Sequence, residues 1–572
     1  MDYPSHVMPS GSRGASSLPP EIWRMVAEQI PGVKILQALI RVCRAFRDIF
    51  QPFLYAQFRF ILNKRYPSDL ERSKFPEFFR YTKEFEVVVK RLQNVEGVDY
   101  HVHLNQGYAS FVSRALRAMP NLRSFRWYDS SMDDECDPSL ILQNDELLAT
   151  LESAPHLREL TLQYCALNSH GPDDFYKRST QFQGFKNLTL LEIYGFFGAR
   201  SDLVEDIANV LKDCPGLKKL GLGMHYEFDT SDEFHEILVD KGQCDFLEQL
   251  CLRYGTFSSP LTLETLRLGT GMFIHKSESA DIGNYIKKLV NIQNVKTLHL
   301  YNGYTHPNSD WDEYAPSEVH WEFFAECTSL HQLSVTRLDE GVRKLLNASG
   351  ESVQELHVTE HVSIDDHSLQ NYDVLNLPHL SMLFSREMVV DYAVHDLYWA
   401  RIDESGERNL RRFLDISVLD RLPDYGANLT QLGICLDPDD QWERFTYHLR
   451  HMRYLTYLRM DKKRHQSSTY PPASTHLCQG ITNFKDLAAC YAKLMRSMCP
   501  TLQYIQIQSW SWQIMAPLPG VPIPEEEHAS QIELREMEWV ERKGIELFAI
   551  GTSAQQSWLP AVEEFYEETW QE

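Results

Sequence analysis

One phrase recurs along the chain and constrains it more than any other feature. It reads apolar residue, two spacers, apolar residue, one spacer, apolar residue. It occurs at Leu122/Phe125/Trp127, Leu157/Leu160/Leu162, Leu188/Leu191/Ile193 and Leu217/Leu220/Leu222. It recurs at Leu247/Leu250/Leu252, Val295/Leu298/Leu300, Leu330/Leu333/Val335 and Val353/Leu356/Val358. Leu380/Leu383, Leu429/Leu432/Ile434, Leu455/Leu458/Met460 and Leu502/Ile505/Ile507 complete the series. About twelve copies, mostly about 23 to 35 residues apart, point to a stacked array rather than to several separate domains. The last two anchors of each copy are two residues apart and so share one face of a short strand. Pro120, Pro155, Pro215, Pro378 and Pro500 each stand two places before the first anchor, where a proline ends the preceding helix. The segments before them, such as 111–119, 203–213 and 487–498, have amphipathic helical spacing. Helix, break and strand in repetition predict an α/β solenoid: a parallel sheet with helical crossovers.

The phrase resembles the leucine-rich repeat, most completely at LRELTLQYCAL (157–167), which includes Cys165. Most other copies lack the Asn or Cys that follows the strand in that family. The resemblance implies a leucine-rich-repeat horseshoe with a concave strand face. EFEVVV (84–89) is expected to begin the sheet, and LETLRL (263–268) is read as helix because it follows Leu247 too closely for a full unit. The intervals 252–295, 386–429 and 460–502 each hide a repeat or project loops. The Trp-rich stretch 509–520 is read as an apolar C-terminal cap, and GIELFAI (544–550) as a segment protecting the open end of the array.

A different pattern precedes the repeats. Residues 1–16 are rich in Ser, Pro and Gly and are expected to be disordered. Ser17, Pro19, Pro20 and Glu21 then suit a helix start. Ile22, Val26 and Ile30 form one helical stripe, and Pro31-Gly32 breaks it. Ile35, Leu36, Leu39, Val42 and Phe46 form a second. The opening L-P-P-E-I followed by L-x-x-L-x-x-V-C-R-x-F-R resembles an F-box, a small all-α module, with Phe46 where that family usually has Trp. The resemblance implies a Skp-type adaptor bound through Leu18, Pro19, Ile22, Val26, Leu36, Leu39, Val42 and Phe46. Through that adaptor it implies a cullin–RING ubiquitin ligase. The expected organisation is therefore a disordered start (1–16), an F-box module (17–60), linker helices with a first capping strand (61–119), the repeat solenoid (120–515), and a cap with an acidic tail (516–572).

The chain carries 56 basic and 80 acidic side chains, a formal charge of −24, which disfavours a nucleic-acid binder that relies on a broad basic surface. No apolar run is long enough to span a membrane. The 11 cysteines include no C-x-x-C pair, which suits a reducing cytoplasmic or nuclear compartment. Phosphate-loop, zinc-protease and nucleophile-elbow motifs are missing. The HVH at 101–103 would align two imidazoles on a strand but has no further ligands nearby in sequence, and DKKRH (461–465) and the acidic runs 133–137, 525–527 and 563–568 read as solvated. No catalytic residue, metal site or cofactor is assigned.

Side chains beside the repeat anchors would project from the concave face. Arg126, Tyr128, Tyr194, Arg253, Tyr301, His357 and Arg459 are the candidates for contact with a protein substrate, since aromatic and Arg side chains are favoured at interfaces. The sequence thus predicts a non-catalytic adaptor that holds a substrate protein for ubiquitylation, with proximity as its contribution. A repeat scaffold without a ligase link, the helical start merely capping it, is the rival. A small anionic co-ligand held by Arg126, Arg253, Arg386 and Arg459 is a third possibility.

Overall fold

The structure is a computed structural model. It describes residues 18–30, 33–62, 77–89, 98–129, 145–163, 184–196, 200–224, 246–269, 285–300, 321–335, 340–358, 377–385, 428–436, 441–461, 483–508, 510–515, 532–538 and 544–549, together with positions 272, 338, 481, 541 and 542. Residues 1–17, Tyr301, Arg386, the basic residues 462–465 and the three acidic runs lie outside these.

One sheet of 16 strands runs through the chain, each strand beside its neighbour in sequence. The strands are β1 (Gln57–Leu62), β2 (Glu84–Val89), β3 (Ser124–Asp129), β4 (Glu159–Gln163), β5 (Leu190–Phe196) and β6 (Lys219–Met224). Next come β7 (Thr265–Leu268), β8 (Thr297–Leu300), β9 (Gln332–Val335), β10 (Glu355–Val358), β11 (Met382–Ser385) and β12 (Gln431–Cys435). The last are β13 (Tyr457–Asp461), β14 (Tyr504–Ile507), β15 (Trp510–Met515) and β16 (Glu533–Glu536). Pairing is parallel from β1 to β14, and the β14–β15 and β15–β16 pairs are antiparallel. Helices pack against one face, giving an α/β solenoid-like arrangement. The opposite face is called the open face below.

The repeat anchors explain this layout. Paired anchors such as Leu160 and Leu162, Leu298 and Leu300, or Leu458 and Met460 are almost fully buried in one apolar core that runs from Phe79 to Ile514. No single repeat could bury its own anchors, so each depends on its neighbours. The repeat prolines do more than end helices. The amide of each first anchor donates to the carbonyl three residues earlier: Leu157 to Ala154, Leu217 to Cys214, Leu380 to Leu377 and Leu502 to Cys499. Proline therefore sits at the second position of a tight turn, where its fixed φ is pre-set.

The helices are α1 (Pro20–Glu28), α2 (Val33–Val42), α3 (Arg44–Leu54), α4 (Val98–Arg117), α5 (Asp145–Glu152) and α6 (Arg200–Asp213). They continue with α7 (Phe246–Gly255), α8 (Ile286–Leu289), α9 (Glu340–Ser349), α10 (Gln441–His448), α11 (Phe484–Met498) and α12 (Glu546–Ala549). The three amphipathic segments read from sequence lie in α4, α6 and α11. His101 and His103 belong to α4 rather than to a strand. Among the described residues no cluster of metal-ligating side chains occurs, and no helix is long and apolar enough to cross a membrane.

Several expectations are corrected. Leu247, Leu250 and Leu252 form no strand: they belong to α7. Phe246, Leu247, Leu250, Cys251 and Tyr254 are buried together at helical spacing, whereas Leu252 is exposed. The strand is instead β7 (Thr265–Leu268), within the segment 263–268 read as helix, and Leu263, Leu266 and Leu268 are the buried anchors. The interval 252–295 thus hid a repeat. The sheet begins one strand earlier than EFEVVV, at β1. The array's end is closed by the antiparallel strands β15 and β16 rather than by GIELFAI. That segment holds α12, which lies on the open face: its adjacent Leu547 and Phe548 are buried against Met382 and Phe384.

Candidate functional site: the open face and the helical module

Parallel register brings one side chain per strand into a row across the open face. From β1 the row reads Arg59, Glu86, Arg126, Thr161, Glu192, Gly221, Arg267, His299, Ser334, His357, Phe384, Gly433, Arg459 and Gln506. Its first half is a ladder of opposite charges. Arg59 pairs with Glu86 at 3.1 Å, and Arg126 reaches Glu84 on β2 at 3.1 Å and Glu159 on β4 at 3.3 Å. Arg267 pairs with Glu192 across β6. Gly221 makes that crossing possible, since a Cβ there would collide with the Tyr194 hydroxyl and crowd Glu192.

Tyr128 and Tyr194 lie with Val88 in a small buried cluster two residues further along these strands, on the same face. Burial and the nearby carboxylates hold both phenols well above their ordinary range: Glu86 and Glu192 act on Tyr128, and Glu192 on Tyr194. Both phenols stay protonated at neutral pH. Burial, with Arg267 adding to it, pushes the His357 imidazole down to about 3 and lowers His299 well below its usual value. These histidines are uncharged at neutral pH, and His357 Nε2 lies 3.0 Å from Met382 Sδ.

The second half of the row is covered by the chain's own C-terminal segment. Arg459 is fully buried and donates to the Leu547 carbonyl at 3.1 Å and the Phe548 carbonyl at 3.5 Å. Gln332 on β9 donates to Glu546 at 2.6 Å. Gly433 leaves room for Leu547 beside Phe384. Burial and the neighbouring Glu546 push the Glu355 carboxyl up to about 7.

Five of the seven proposed substrate-contact residues therefore stand on the open face: Arg126, Tyr128, Tyr194, His357 and Arg459. They fall into two groups, not one track. Tyr301 lies outside the described residues. Arg253 is a correction: it sits on α7, on the helical side, forks onto Glu205 and lies 4.3 Å over the Phe257 ring. Its place on the open face belongs to Arg267, which was missed because its strand was read as helix. The cover by 544–549 had no local signal, because the residues that meet lie far apart in sequence.

The helical module has its own small core of Ala27, Leu36, Phe50 and Leu54, with Trp23, Leu39 and Phe46 packed against it. Trp23 and Phe46 rings approach to 4.8 Å. Cys43 caps α3 by accepting from the Phe46 amide. The proposed adaptor contacts accordingly divide. Leu18, Pro19, Ile22, Val26 and Val42 are exposed, as are Met25 and Ile35. Leu36 is buried within the module, and Leu39 and Phe46 are half-buried against its core. Phe46 also lies in the first turn of α3 instead of extending the α2 stripe.

The module joins the sheet directly. α3 leads into β1, Tyr55 stacks on Phe78 at 4.0 Å, and Thr82 donates to the Tyr55 carbonyl at 3.1 Å. It also meets the far end of the chain: the Val33 and Lys34 amides at the start of α2 donate to the Glu538 carboxylate at 2.8 and 3.2 Å. A carboxylate there satisfies free amides and complements the helix dipole. Set against known protein families and curated proteins, the sequence matches no family model and no curated protein.

Proposed function

We propose that the protein is the substrate-recognition subunit of an SCF-type cullin–RING ubiquitin ligase. The α1–α3 module would bind a Skp-type adaptor, and the open face would hold a protein substrate. The observation that carries this reading is the exposed apolar rim of Leu18, Ile22, Met25, Val26, Ile35 and Val42 on a module that already has a closed core. A small unit that keeps its own core and still exposes such residues is built to be covered by a partner. The protein would act as an adaptor without a catalytic residue of its own, raising the effective concentration of a substrate lysine near the conjugating enzyme.

The test is co-expression with a Skp-type adaptor followed by size-exclusion chromatography. Wild type should co-elute with the adaptor. Ile22→Arg with Val26→Arg should lose the adaptor while the repeats keep their cooperative unfolding. Leu36→Arg is unsuitable because it would place a charge in the module core. Wild-type protein that is folded and ignores the adaptor would overturn the proposal.

The continuity of α3 with β1 favours a second reading, a repeat scaffold whose helical start is its N-terminal cap. Deleting residues 1–56 separates the two. Loss of adaptor binding alone supports the ligase reading, and melting of the whole array supports the cap.

A further inference from the structure

We propose that the open face over β9–β13 is a peptide-binding groove whose occupant presents two adjacent bulky apolar side chains preceded by a hydrogen-bond acceptor, with the chain's own 546–548 as the resident copy. The inference deepens the reading of the open face as the substrate surface and names the class of segment it takes. Three observations carry it. First, Leu547 and Phe548 are buried at 0% and 1% exposure against Met382 and Phe384, on the face away from the main core. Second, the floor is shaped for them: a side chain at Gly433 would meet Phe384 and come within 3.0 Å of Leu547. Third, the polar contacts read backbone and one acceptor only. Arg459 takes the Leu547 and Phe548 carbonyls, and Gln332 takes the residue before them. Main-chain capture gives affinity, and two apolar sites with one donor give selectivity.

The resident copy is imperfectly matched. Its acceptor is Glu546, which faces the carboxylate of Glu355. An incoming segment with a neutral acceptor, such as Gln, makes the Gln332 contact without that repulsion. The resident copy competes well only because it is tethered, which gives it a high effective concentration. A partner segment must therefore be better matched than the strap to displace it.

The test uses the full chain and a fluorescent synthetic peptide of residues 541–550, read by anisotropy. Leu547→Asp with Phe548→Asp releases the resident segment and should bind the peptide at least about tenfold more tightly than wild type. Adding Arg459→Leu to that variant should reverse the gain. A peptide with Gln in place of Glu546 should bind more tightly than the parent. The milder Leu547→Ala should give a smaller gain in the same direction and guards against misfolding of the double variant. No gain in either released variant, with circular dichroism unchanged, overturns the groove. Adaptor co-elution is measured on the same preparations. Its loss with peptide binding intact strikes the ligase reading alone, and the reverse strikes the groove alone.

Discussion

The two halves of the open face solve one problem in opposite ways. Each strand must place a side chain on the face opposite the crossover helices. Over β1–β7 the chain uses charges that satisfy one another sideways, from Arg59–Glu86 to Glu192–Arg267. Over β9–β13 it sets apolar and neutral groups, Phe384, Met382 and His357, around the single guanidinium of Arg459, and lays its own C-terminal segment on top. The first half pairs its charges within the sheet. The second is complete only with an occupant, which is why the groove is placed there. The difference teaches that a repeat surface need not be uniform to be continuous: the row from Arg59 to Gln506 is unbroken, but the chemistry changes near β8.

The largest effect should come from breaking the ladder. The Glu192 and Arg267 side chains are only 5% and 12% exposed. Glu192→Leu leaves a guanidinium without its partner in a nearly dry site, a change that costs about 3–5 kcal/mol when a buried pair is broken. Chemical denaturation should show that loss, and Glu192→Leu with Arg267→Leu should recover much of it. A single variant as stable as wild type would mean that water reaches the pair.

A smaller effect should appear in the second half and depend on pH. Glu355 binds its proton more tightly in the folded chain, where its carboxyl is pushed up to about 7, than in the unfolded chain. A raised acid favours the folded state at low pH, and that contribution is lost as pH rises through about 7. Between pH 5 and pH 8, by this linkage roughly the span of the titration, proteolytic protection of 532–549 should fall. Glu355→Gln should flatten the profile. A profile unchanged by the variant would remove Glu355 from the seating of the segment.

The smallest effect is expected off the open face. Arg253→Ala removes an exposed pair with Glu205 on the helical side and should leave adaptor capture and peptide binding unchanged. A clear loss of peptide binding would place the functional surface on the wrong side of the sheet.

Much of the architecture was legible in the residues. Eleven of the repeat phrases, all but Leu247/Leu250/Leu252, fall on strands β3–β6 and β8–β14, because a strand's two-residue period and its proline-marked turn are local signals. The failure at 247–268 is also local. The L-x-x-L-x-L spacing fits a helix face as readily as a strand entry, and only Cys251 and Tyr254, buried at helical spacing, decide for helix. The helical module was legible as short amphipathic stripes, but not the division of those stripes between its core and its rim. Leu36 and Ile35 are adjacent and equally apolar, and packing against Phe50 and Leu54 buries one and leaves the other exposed.

The sequence by itself therefore determined the array, its strand period and the residues that face the core, since these follow from short-range spacing and apolar burial. Tertiary structure alone decided what covers what. Arg459 meets the Leu547 carbonyl across 88 residues, Gln332 meets Glu546 across 214, and Val33 meets Glu538 across 505. No periodicity encodes such pairs. They arise because the folded array carries distant segments together, and buried polar groups are seldom left unpaired.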